Sequence, residues 1–272
     1  MNFDVAFSTG NSHRICQDYA RANTLGQYVI LSDGCSGSPD TDWGSRLLIK
    51  SAEQYIGHDN MNHLAIAAAS AHADGLHLPQ ECLDATLLCI RPKIVFVDGK
   101  AECYYRVSIY GDGVFSGVRK DGTIDILDVS FTDGYPRYPS YLLDEGRMAT
   151  MQDKNKRNGG LFRNLVSHHI LPDGKRTSEC SQNNVEFTEL VVKDSDYDTV
   201  AIFSDGVHSV YKIVDGTKET IPMPTVVGML MGFKNYAGDF VQRRYNAFQK
   251  DLIKNGWTHY DDISMGVVYL GE

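Results

Sequence analysis

The feature that most constrains this chain is a repeated break in which a short apolar run stops at an aspartate. Tyr28 to Ser32 (YVILS) runs into Asp33-Gly34, and Val200 to Ser204 (VAIFS) runs into Asp205-Gly206. Val107 to Tyr110 (VSIY) reaches Gly111-Asp112, and Asp261-Asp262 feeds the run ISMGVVYL. Apolar runs of this length read as buried strands. A fold with several carboxylates at rigid strand ends follows, and rigid positions are where a site is best built. The turn chemistry of Asp-Gly sets the opposing expectation, because strands often end at that pair for conformational reasons alone. Asp98-Gly99 and Asp121-Gly122 belong to that ordinary class. What separates the other aspartates is their order and their flanks, together with a further acid, Asp18, in Cys16-Gln17-Asp18.

Several carboxylates brought to one place repel unless cations neutralise them. All-oxygen donors suit Mg²⁺ or Mn²⁺, with waters completing an octahedron. The net charge of −9 argues against nucleic-acid binding, since phosphate backbones attract basic faces. No apolar run reaches the roughly 18 residues of a membrane span. Met1 to Gly10 lacks the basic start and apolar centre of a signal peptide. The six cysteines include no C-x-x-C pair, so a structural zinc site is not expected. Scattered single thiols suit a reducing cytoplasm.

Elsewhere the pattern predicts an amphipathic helix over 42–57, with N-cap chemistry from Pro39 to Asp42, and an alanine-rich helix over 64–73. From 84 to 129, strand-like runs alternate with Gly turns, an antiparallel meander. Residues 131–184 are polar with short apolar pieces and read as a long surface excursion. Strands return at 186–192 and 199–203, helices at 224–233 and 238–254. With no repeat and no linker, residues 1–272 read as one domain.

The ordered set resembles the metal-dependent protein phosphatases of type 2C, the PPM family. That family shows an early Arg-x-x-x-acid element, an apolar strand into Asp-Gly-x-Gly-Gly, a Thr-bearing strand, a Gly-Asp-Ser turn, a strand into Ser-Asp-Gly, and a final Asp-Asn before the last strand. Here these read Arg14 to Asp18, Asp33-Gly34-Cys35-Ser36-Gly37, Ala85-Thr86-Leu87, Gly111-Asp112-Gly113, Ser204-Asp205-Gly206 and Asp261-Asp262-Ile263-Ser264. The match spans nearly the whole chain, and its His13-Arg14-x-Cys16-Gln17-Asp18 opening looks like a divergent bacterial branch.

The resemblance implies an α+β fold, a four-layer α-β-β-α sandwich with two central antiparallel sheets and a flap within 131–184. It implies a serine/threonine protein phosphatase, a hydrolase in which a hydroxide bridging two metals attacks the phosphomonoester directly. Asp33 would be shared between two Mg²⁺ or Mn²⁺ ions, with the Gly34 carbonyl on the second. Asp205 and Asp261 would hold the other side, and Asp18 would act through bound water. Asp112 with Asp205 would hold a looser third ion. Arg14 would grip the substrate phosphate, its planar fork matching phosphate oxygens. The implied partner is a phosphorylated protein, the target of a serine/threonine kinase, in the cytoplasm, with neither nucleic acid nor membrane.

Four departures stand out. Ser36 replaces the second Gly of the first turn, Gly113 replaces the usual Ser, Ser209 replaces an Asp that commonly follows Asp205, and Asp262 replaces the final Asn. Ser209 weakens the third-metal expectation. Cys35 and Cys16 read as small packing residues. His13 reads as a surface histidine before it reads as a proton donor, and His208 as a residue lining the cleft. His168-His169 point apart on a strand, and Lys154 to Arg157 reads as a solvated face. Two other readings use the same residues: a phosphatase for a small phosphorylated metabolite, and a catalytically silent module that binds a kinase or phosphoprotein.

Overall fold

The computed structural model describes every residue except Asp98, Asn158, Glu186 and Glu272. The chain begins with β1 (Asn2–Ser8), β2 (Tyr19–Asn23) and β3 (Tyr28–Ser32), then α1 (Thr41–Gln54) and α2 (Met61–Gly75). The meander follows as β4 (Leu87–Val97), β5 (Lys100–Tyr110), β6 (Gly113–Arg119) and β7 (Ile124–Phe131). Next come α3 (Glu145–Arg157), β8 (Arg163–Ile170), β9 (Arg176–Asn183), β10 (Phe187–Lys193) and β11 (Tyr197–Phe203). The chain closes with β12 (Val210–Val214), β13 (Thr217–Thr220), α4 (Met223–Leu230), α5 (Phe240–Asn255), β14 (Trp257–His259) and β15 (Ile263–Tyr269).

Two antiparallel sheets form the centre. One runs β1-β15-β11-β6-β7-β8-β9 and the other β10-β5-β4-β3-β2, while β13-β12-β14 make a small separate sheet. Val29, Leu31 and Leu88 from the five-stranded sheet meet Phe115, Val200 and Val268 from the seven-stranded sheet. Ile30 points the other way, into a layer with Leu48, Ile49 and Ile66 of α1 and α2. On the far side, Val227 of α4 and Phe248 of α5 cover Ala201 and Met265. The four layers of an α-β-β-α sandwich are therefore present. A central strand buried on both faces has no polar side to show, which is why β3 reads as the unbroken run YVILS and is buried throughout. Each such Ile or Leu stabilises the fold by about 2 kcal/mol on leaving water.

Local differences from the expectations have local causes. Asp40 does precede α1, but in the left-handed region (φ 54°) and without a side-chain capping bond. Its carbonyl accepts from the amides of Trp43 and Gly44 instead, and the helix stops at Gln54, before Gly57. The expected 98–99 turn falls partly on Asp98, outside the described residues, yet β4 and β5 pair from Leu87↔Tyr110 to Val97↔Lys100. The strand expected from 186 likewise starts on a residue outside the described set. The excursion over 131–184 is more ordered than its composition suggests: it holds α3, and β8 and β9 extend the seven-stranded sheet. Strand β9 (RTSECSQN) is exposed at nearly every position, so no apolar alternation marks it. Strand β2 (YARAN) and the β12–β14 sheet are too short and mixed to be read from pattern. All six cysteines are free thiols. No described helix is long and apolar enough to cross a membrane.

Candidate metal centre

Strand register brings the aspartates together. Tyr19 pairs with Ser32 across β2 and β3, which sets Asp18 beside Asp33. Val114 pairs with Phe203 across β6 and β11, which sets Asp112 beside Asp205. Phe203 pairs with Met265 across β11 and β15, which brings Asp205 to the Asp261-Asp262 end. Stacking the two sheets then closes the Asp18–Asp33 pair onto Asp205.

Neighbouring backbone holds each group. The Asp33 amide donates to Thr86 Oγ1 at 3.0 Å, and the Thr86 amide returns a bond to the Asp33 carbonyl at 2.8 Å. Gly34 bridges to Ala85, so the Thr-bearing strand start fixes the first turn. Gly206 follows Asp205 where a Cβ would lie 1.7 Å from the carbonyl oxygen of Asp262, and a Cβ at Gly10 would lie 2.3 Å from the Asp261 carbonyl. Glycine is required at both positions by close approach. Asp18 is fully buried; its Oδ2 accepts from Ser204 Oγ at 2.8 Å, and its Oδ1 has no hydrogen-bond donor among the described residues.

The electrostatics reflect this crowding. Burial and the charges of Asp18 and Asp205 push Asp33 well above the usual carboxylate range, and its carboxyl lies within hydrogen-bonding reach of both. Burial lifts Asp18 to about 7. Burial and Asp205 lift Asp261 to about 6, and burial, Asp205 and Asp128 raise Asp112 well above its ordinary value. Each shift says that negative charge here lacks compensation. Among the described residues no group of three His, Cys, Asp or Glu side chains is arranged to hold a metal ion by itself. The carboxylates instead meet pairwise around Asp33 and Asp205. Mg²⁺ and similar ions take one or two carboxylates and keep several waters, so an all-oxygen set of pairs with an orphaned buried oxygen fits them.

Other expected residues fall as follows. Arg14 stands exposed in a cavity of about 270 Å³ lined also by His13, Gln17, Asp40 and Asp42, and none of the clustered acids lines that cavity. His13 is half-buried, with Nδ1 3.0 Å from Asp262 Oδ1. His208 does border the cluster; burial works against its charge, but Asp128 at 3.1 Å and the charges of Asp205 and Asp112 raise its pKa overall. His168 and His169 point apart, toward Ser178 and Asp125, each at 2.7 Å. Lys154 lies over the Tyr135 ring.

Pattern missed three further groups. Ser204 was visible only as part of Ser-Asp-Gly. Tyr138, in the flap, lies beside Cys35, and burial with the charges of Asp112, Cys35 and Asp33 raises its phenol sharply. Asp84 accepts from Ser38 (2.8 Å), Ser140 (2.7 Å) and Arg147 (2.9 and 2.8 Å), tying the flap to the Asp33 turn. Nothing in the local sequence around Asp84 signals that role, because its partners lie in three separate segments.

Neither a protein-family model nor a curated protein matches the chain. Solved structures do. The PPM Ser-Thr phosphatase MsPP from Mycobacterium smegmatis, in complex with cacodylate, is 16% identical, with 100% of this chain and 99% of that one covered and a TM-score of 0.53. PppA, a key regulatory component of T6SS in Pseudomonas aeruginosa, is 12% identical over 98% and 97% of the two chains, TM-score 0.51. Serine-threonine phosphatase 2C from Toxoplasma gondii is 14% identical over 98% and 95%, TM-score 0.50. At such identities the likeness is one of fold.

Proposed function

From the premise that this is the fold of the PPM, or type 2C, phosphatases, we propose that the chain is a Mg²⁺- or Mn²⁺-dependent serine/threonine protein phosphatase. The observation that supports this most is the chain of neighbouring acids, Asp18 beside Asp33, Asp33 beside Asp205, and Asp205 beside Asp112 and Asp261, whose negative charge is uncompensated. In this reading Asp33, the Gly34 carbonyl, Asp205 and Asp261 hold two ions, Asp18 acts through water, and Asp112 joins Asp205 at a looser third position. When bound, such a pair of ions supplies Lewis-acid activation of water and of the phosphoryl group.

The chain's own residues then bind and orient. Asp18, pinned by Ser204 Oγ, accepts the hydrogen of an attacking water and holds it in line. Arg14, exposed on the loop that leads to Asp18, would pair with the substrate phosphate through two parallel N–H donors. Tyr138 and Cys35 close the flap side of the cleft against bulk water. The chain acts as one catalytic unit, with residues 131–184 containing its flap, and works in the cytoplasm on a phosphorylated protein that a kinase has modified. The presence of all five acids weighs against a silent binding module.

The test is turnover of p-nitrophenyl phosphate and of a phosphothreonine peptide with Mn²⁺. Asp33→Asn and Asp205→Asn are each expected to lower kcat by about 10³-fold. Full rate in either variant would remove the mechanism. Turnover of small phosphomonoesters with none of phosphopeptides would move the substrate class to metabolites.

A further inference from the structure

Two departures from the family pattern, Ser36 and Asp262, meet in one place. Asp262 is buried, and its Oδ1 accepts the Gly10 amide at 2.7 Å while its Oδ2 accepts the Gln17 amide at 2.6 Å. His13 Nδ1 lies 3.0 Å from the same Oδ1. The other nitrogen of that ring, Nε2, lies 3.1 Å from Ser36 Oγ, and Ser36 Oγ donates to Gln17 Oε1 at 3.0 Å. The contacts close on themselves: Asp262, His13, Ser36, Gln17 and back to Asp262. They join three segments, the loop from Gly10 to Asp18, the Asp33 turn and the start of β15. Each carries residues of the site.

We infer that His13, Gln17, Ser36 and Asp262 form a positioning circuit that holds the Arg14 loop in register with the metal-site turns. The inference rests on the proposed phosphatase reading for its purpose and on the geometry above for its existence. Aspartate suits this position better than asparagine. Both of its oxygens accept a backbone N–H, whereas an asparagine would present an NH₂ group to one of those two donors and leave it unpaired. The buried negative charge is met by the two amide donors of Gly10 and Gln17, with His13 Nδ1 packed close against Oδ1 at 3.0 Å but outside hydrogen-bond geometry. Glycine at 36 would leave His13 and Gln17 without their common partner. The two replacements thus compensate one another, and Arg14, exposed midway along the loop, has its backbone held from both sides.

The circuit has a readout that needs no catalysis. Arg14 is an exposed tryptic site, and cleavage after it reports opening of the loop. In the intact protein, Asp262→Asn and Ser36→Ala are each expected to speed cleavage at Arg14 by about fivefold, with Ser36→Thr restoring the slow rate. The double variant His13→Asn/Asp262→Asn should cleave no faster than the worse single one, since both break the same circuit. With Mn²⁺ and p-nitrophenyl phosphate, the same substitutions should raise KM by about fivefold and change kcat less, because Arg14 binds the phosphate. Unchanged cleavage in the single variants, or effects that add in the double one, would overturn the circuit. Cleavage that responds as expected in a protein without turnover would leave the circuit standing and remove the phosphatase reading.

Discussion

Ser204 Oγ donates to Asp18 Oδ2 at 2.8 Å and so joins residues 186 positions apart in the chain. The same hydroxyl accepts the Ser264 amide at 3.0 Å. One small side chain at the end of β11 therefore links β15 to a buried acid that belongs to the other sheet. Ser204→Ala would leave Asp18 without that donor in a site closed to water. The expected loss is about 1–3 kcal/mol of stability, read by denaturant unfolding at pH 8 with Mn²⁺ removed, and a weaker Mn²⁺ titration by calorimetry.

The raised carboxyls set a pH dependence for the metal-free protein. Asp18 is lifted to about 7 and Asp261 to about 6, from an ordinary 3.8. A carboxyl raised on folding holds its proton more tightly in the folded state. Its contribution is present at low pH and is lost as pH rises through the folded value. In EDTA, thermal stability is thus expected to fall between pH 5 and pH 8, whereas Mn²⁺ should flatten or reverse the trend by offsetting the ionised charges. A metal-free protein that gains stability over that window would contradict the charge cluster.

Removing one of these charges should stabilise the protein while disabling it. The charge of Asp205 raises Asp33, Asp112 and Asp261 alike. Asp205→Asn is expected to melt higher than the parent in EDTA at pH 8, and to lose the Mn²⁺-induced rise in melting temperature. That trade of stability against function is characteristic of sites that hold strain for a ligand. Equal melting with and without the substitution would show that the aspartates do not repel.

Gly206 tests the joint between strand ends. A Cβ there would overlap the Asp262 carbonyl oxygen, which belongs to backbone and does not swing aside. Gly206→Ala should cost about 1–3 kcal/mol and reduce activity together with stability, measured by urea unfolding and by p-nitrophenyl phosphate turnover.

The flap is coupled to the site through Asp84. Its carboxylate takes bonds from Ser38, Ser140 and Arg147, and its carbonyl takes the Cys35 amide at 2.8 Å. Asp84→Ala leaves two buried or half-buried hydroxyls and a guanidinium without this partner. Destabilisation of about 3 kcal/mol is expected. Proteolysis should also begin within 139–157, read by mass spectrometry of early fragments.

Much of this architecture is visible in the chain itself because it is written in local pattern. YVILS, VAIFS and ISMGVVYL are unbroken apolar runs because their strands are covered on both faces, and the aspartates mark where the cover ends. The helices of the outer layers show their own spacing. Polar β9 and mixed β2 leave no such trace, since a strand at a sheet edge need not bury an alternating face.

The sequence by itself determined that acids would sit at rigid strand ends, in an order that resembles the type 2C phosphatases, because strand formation and its interruption depend on residues near one another. Only the tertiary structure decided which acids touch. Asp18 meets Asp33 through the pairing of Tyr19 with Ser32, and the charge of Asp262 is tolerated because the Gly10 and Gln17 amides donate to it. Register and sheet stacking set those distances, and they are properties of segments brought together from opposite ends of the chain.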